Sequence, residues 1–294
     1  MKEFTGKIKV FFLAAVSLTL ICVALFTVSM FTSLDADIGY FESTALLPHV
    51  QKAVAIVSVI FFASIVVFIP KKVLPASEPE NVVFTTFSAL ACGFLFVIST
   101  IIFYLLYRYD AGWMQPTVRY IYTGIYISGL LAAVYFLLCG LSSSSKWLPL
   151  KIASAVFAVA NLLLIIVFEH LDYFTPINSV RKTMLFIGFA IAIMFIAQDL
   201  RFKANIGQPR AYFFFGASTM LLCSAMSVPH IIAHYAGVLK DSSFLMYYLI
   251  ALGLALYAFA KLRAYVKYTE YMASIPTEEA SPEESATEVD NTEV

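Results

Sequence analysis

Long uncharged apolar runs alternate with short polar segments along the whole chain. The runs fall at about 10–32, 53–69, 82–106, 120–141, 148–168, 180–197, 211–238 and 244–260. Each comes close to the ~20 apolar residues that a helix needs to cross a hydrocarbon core of about 30 Å. The pattern predicts an all-α fold, a polytopic membrane helix bundle of about eight transmembrane helices. Arg181 and Lys182 interrupt the start of the sixth run, where both can snorkel toward the interface. Pro229, late in the seventh, is expected to kink that helix or begin a re-entrant exit. Lys2, Lys7 and Lys9 precede the first run, which lacks an obvious small-residue cleavage site, so it reads as a retained helix.

Composition agrees with the pattern. Of 294 residues, 61% are hydrophobic and 13% charged, against roughly 25% charged in a soluble domain. Formal net charge is zero, so no basic surface points to nucleic acid. Cys22, Cys92, Cys139 and Cys223 all lie inside apolar runs. They read as small buried hydrophobes, not as a disulfide framework or zinc motif.

The distribution of Lys and Arg sets an expected orientation. With the N-terminus inside, thirteen of the nineteen bases fall in inner segments and six in outer ones. That asymmetry predicts cytoplasmic N- and C-termini in the cell membrane. Residues 1–268 then form the bundle, and 269–294 an acidic cytoplasmic tail too polar to bury a core. The end of the bundle, "KLRAYVKY" (261–268), is basic and aromatic, a composition suited to anionic lipid. The lipid bilayer is the expected partner, with a small polar ligand or another membrane protein as further candidates.

All four outer turns carry aspartate: Asp35 and Asp37, Asp110, Asp172 and Asp241. "LDADIGYFE" (34–42) begins like a calcium loop, but counting from Asp35 puts Gly39 at position 5, Tyr40 at 6 and Leu46 at 12. An EF-hand needs a ligand, a glycine and a bidentate acid there. The stretch reads as a surface turn with aromatics at headgroup level.

Candidate chemistry gathers on the same side. Asp37, Arg108, Asp110, Trp113, Arg119, Glu169, His170, Asp172, Arg181, His230 and His234 form a set of polar and aromatic residues that could line an outward-facing, ligand-binding pocket. His230 and His234 lie four apart on one helical face, the spacing of a two-histidine metal clamp. Glu169, His170, Asp172 and Asp110 could complete it if the third, fifth and seventh helices are neighbours. "PHIIAHY" together with His49 is similar in outline to the progestin/adiponectin receptor and alkaline ceramidase superfamily, which implies zinc-dependent hydrolysis of lipid amides. The resemblance covers three residues, without the matching intramembrane Ser and Asp set and with eight spans for seven. No membership follows, and no cofactor is expected.

No run carries a charge near its midpoint. Asp199 and Glu169 fall at run ends, and Asn161 is the polar residue nearest a centre. Ion-coupled transport usually needs a mid-depth ionisable group or a broken helix. The leading expectation is therefore a non-enzymatic sensor, receptor-like or accessory membrane protein. A small-solute transporter is the alternative and a metal-dependent membrane hydrolase the second alternative.

Overall fold

The computed structural model describes residues 2–35, 40–41, 45–68, 83–108, 115–141, 145–171, 180–239 and 244–274. Among the described residues the protein is an all-α bundle of eight helices, each long and apolar enough to span a membrane. They are α1 (Lys2–Thr32), α2 (Leu46–Phe68), α3 (Val83–Tyr107), α4 (Pro116–Leu141), α5 (Leu148–Leu171), α6 (Val180–Lys203), α7 (Pro209–Tyr235) and α8 (Leu245–Ser274). After α1, strands β1 (Leu34–Asp35) and β2 (Tyr40–Phe41) pair antiparallel, with Leu34 opposite Phe41. The flanks of the aspartate-rich turn are thus held together, while Asp37 lies outside the described residues.

Helices α3 to α8 form a closed circuit in which each packs on the next and α8 returns to α3. Outside it, α1 lies against α7 and α8, and α2 against α1 and α7. Contacts at the ends show that α1 and α2, and α3 and α4, run antiparallel. Phe11 near the start of α1 meets Phe62 late in α2, and Phe103 late in α3 meets Tyr122 early in α4. An ion pair of 3.0 Å between Lys9 and Glu270 places the beginning of α1 and the end of α8 together. This is called the near end below, and the opposite one the far end.

Burial ranks the helices. The most apolar stretches of α7 and α8 are each 72% buried, that of α2 only 28%. A helix apolar all round is stable only when protein or lipid surrounds it. Here protein encloses α7 and α8, while α2 faces outward. α7 continues unbroken through Pro229 to Tyr235, without a re-entrant exit. α8, at 30 residues and so about 45 Å, is longer than the ~30 Å hydrocarbon core.

Two close approaches define the inner seams. A Cβ on Gly253 of α8 would stand 3.2 Å from the Cys92 Cα of α3, so these backbones meet where only hydrogen fits between them. Beside this seam the Ser99 hydroxyl donates to the Met246 carbonyl at 2.7 Å, fully buried. Ser99→Ala removes a hydrogen bond between α3 and α8 and is expected to cost about 1 kcal/mol. A lower unfolding midpoint in detergent, with the far-UV spectrum unchanged, is the measurement.

Candidate functional site

At the near end the circuit encloses charge. Asp199 has no exposed surface, and Lys203 and Lys261 are almost fully buried beside it. Sequence periodicity ended the sixth run at residue 197 and the eighth at 260. The structure corrects this, because α6 continues to Lys203 and α8 to Ser274. Both additions carry their charged residues within helix, and neighbouring helices cover those that turn inward. Asp199 still lies toward the end of its helix, as the sequence indicates; what the structure adds is that it is buried there.

Three helices build the centre. From α4, the Tyr135 hydroxyl donates to Asp199 Oδ2 at 2.8 Å; from α8, the Tyr257 hydroxyl donates to the same oxygen at 2.6 Å. Lys203, one turn below Asp199 on α6, donates to Oδ2 as well and reaches the Tyr257 hydroxyl oxygen at 3.2 Å. Lys261 Nζ lies 3.6 Å from the other oxygen, Oδ1, close enough for an ion pair. Among the described residues, no hydrogen-bond donor reaches Oδ1. One oxygen of this buried carboxylate is saturated and the other faces an ammonium beyond hydrogen-bond distance.

The surroundings are aromatic and basic. Phe136 packs edge-on against both tyrosines, and Phe195 flanks Tyr257. On α5, Lys151 is 5% exposed and within electrostatic range of Asp199 and Lys203. Low-polarity walls strengthen each interaction in the centre and raise the penalty for any buried polar atom left without a partner. The chain Tyr135–Asp199–Tyr257–Lys203 is continuous through hydroxyl, carboxylate and ammonium. Such a chain can bind a polar solute through Oδ1 or exchange a proton there.

A second polar group sits at mid-depth. Asn161 Nδ2 on α5 donates to the Ile125 carbonyl at 2.9 Å and to Ser128 Oγ at 3.2 Å, both on α4. Its Oδ1 is buried, without a partner among the described residues. Gly129 makes room for this arrangement, since a Cβ there would lie 2.4 Å from Thr100 Oγ1 and 3.2 Å from Asn161 Nδ2.

The far-end candidates differ in exposure. Arg108, Arg119 and His170 are exposed, whereas Glu169 is buried near the end of α5 and Lys182, beside Arg181, near the start of α6. His230 is buried, donating from Nδ1 to the Met226 carbonyl at 2.6 Å and stacking on Tyr248 with centroids 4.3 Å apart. That assigns the Nδ1–H tautomer. His234 is partly exposed beside Tyr235. Asp110, Trp113 and Asp172 lie, like Asp37, outside the described residues, as does the Arg181 side chain. The third, fifth and seventh helices are not principal neighbours, because α4, α6 and α8 alternate with them around the circuit. Among the described residues, no three His, Cys, Asp or Glu side chains form a group that could hold a metal ion.

No family model matches this chain, and no curated protein or solved structure resembles it. Function must therefore be argued from the site alone. Sequence reading missed the near-end centre because it treated each run's last charge as a boundary marker. A usable signal existed: Asp199 and Lys203, and Tyr257 and Lys261, are each spaced four apart, so each pair shares a helical face.

Proposed function

We propose that this protein is a membrane carrier for a small polar solute, with the Asp199 centre as the gate at the near end. The observation that carries the reading is the buried carboxylate itself, loaded on Oδ2 and, among the described residues, facing only the Lys261 ammonium at 3.6 Å on Oδ1. Ionisable groups enclosed by spanning helices are costly to hold and concentrate along solute, ion and proton paths, and this one sits at the near end, where a gate would be. A network serving only to join helices is expected to satisfy both oxygens. In this reading a solute donor group, or a proton, occupies Oδ1 and competes with Lys261 for the carboxylate. Asn161, with its own unpartnered oxygen, is the next polar station toward the far end. The excess of bases on the segments at this end supports a cytoplasmic near end in a cell-membrane protein.

Counterflow in proteoliposomes tests this. Vesicles preloaded with one unlabelled amino acid, sugar, nucleoside or small organic acid at a time are expected to concentrate the matching labelled solute, and Asp199→Asn to abolish the effect. A full panel with no accumulation above protein-free vesicles would overturn the carrier reading.

The sensor or accessory-subunit reading stands second. His230, buried and stacked on Tyr248 toward the far end, favours it. It predicts ligand-dependent thermal shifts that His230→Ala removes, with no counterflow of any solute.

A further inference from the structure

We propose that the groove between the start of α3 and the near-end part of α8 binds an anionic phospholipid. The groove, of about 440 Å³, is lined by Val83, Phe84 and Phe87 of α3 and by Ala260, Arg263, Ala264 and Lys267 of α8. Its apolar wall faces outward, with Val83 85% and Phe87 70% exposed. Ala260 and Ala264 form a low floor one turn apart, leaving width for an acyl chain beside the phenylalanines. Arg263 and Lys267, also one turn apart, are both exposed on the same side of the helix.

Charge and position select the occupant. Arg263 is held with its guanidinium carbon 5.0 Å from the centre of the Phe84 ring, a cation–π contact that limits its freedom before any ligand arrives. Two cations above an apolar trough complement a phosphate above an acyl chain. The trough lies where α3 begins and α8 passes beyond the hydrocarbon thickness, which is headgroup level for a spanning bundle.

The facing of α8 gives the site its specificity. At 3.6 residues per turn, Arg263 lies roughly 200° and Lys267 roughly 240° around the axis from Lys261. Lys261 therefore turns inward to Asp199 while the other two bases turn out to the lipid. Of the basic segment that the sequence offered as a whole to anionic lipid, the structure assigns two bases to this groove and one to the interior.

Native mass spectrometry of the full chain tests the proposal, with phosphatidylglycerol and phosphatidylcholine titrated separately. The wild-type protein is expected to retain phosphatidylglycerol over phosphatidylcholine. Replacing both bases (Arg263→Gln with Lys267→Gln) should weaken phosphatidylglycerol binding on the order of thirtyfold. Phosphatidylcholine binding and the unfolding midpoint should stay the same. Val83→Glu, at an exposed position, should also weaken it by placing an acid at the trough mouth. Two results would overturn the site: equal retention of the two lipids, or a loss from Lys146→Gln, outside the groove, as large as that from the double variant.

Discussion

Asp199→Ala is expected to destabilise the bundle by about 3–5 kcal/mol, the range for removing one partner of a buried ion pair. The substitution strips the common acceptor from Tyr135, Tyr257 and Lys203 and the counter-charge from Lys261. The loss comes mostly from leaving ammonium groups in a low-dielectric interior, because the attraction between ions only partly offsets their desolvation. Replacing the whole charged set (Asp199→Leu with Lys203→Met and Lys261→Met) should therefore restore much of the stability. Thermal unfolding in detergent reads both effects. An unchanged midpoint for Asp199→Ala would show that the centre does not hold the helices together. The triple variant also separates stability from transport. If it is stable and counterflow is lost, the centre acts on the solute; if counterflow survives, Asp199 is not the gate.

Gly129→Val is the second large effect, expected to cost about 1–3 kcal/mol or more through overpacking. Even the first added carbon would stand 2.4 Å from Thr100 Oγ1, and the valine methyls extend further. Thr100 cannot simply yield, because its hydroxyl is bonded to the Phe96 carbonyl at 2.8 Å in a buried position. The other neighbour is the Asn161 amide, which would have to leave Ile125 and Ser128. Three helices, α3, α4 and α5, are thus wedged at once. Gly124, five residues earlier, meets only Leu164 side-chain atoms, the nearer at 3.1 Å. Gly124→Ala should accordingly be much milder. Comparing the two unfolding midpoints checks the pair, and equal losses would contradict the packing described for this seam.

The centre was only half legible in the sequence, and Asp199 shows why. A hydropathy run registers where apolar residues stop, not where the helix stops. Asp199 and Lys203 therefore looked like the exit of the sixth span, although the helix carries both. Lys261 looked like a surface base for the same reason. The far-end histidines show a different limit. Their spacing of four is real, yet His230 is committed to its own helix through the Met226 carbonyl. Spacing gives the face that two side chains share but not what that face meets.

By itself the sequence determined that this is a membrane bundle of eight spanning helices, because the bilayer fixes how many apolar residues a crossing needs. It also supplied the excess of bases on one set of segments, on which the expected orientation rests. Only the tertiary structure decided how the helices close on one another. Ser99 bonds to Met246 across 147 positions of chain, and no local pattern encodes that return of α8 to α3. That closure covers Asp199, turns Lys261 inward and leaves Arg263 and Lys267 outside. A helix presents every face equally, and its neighbours alone determine which charge is buried and which meets lipid.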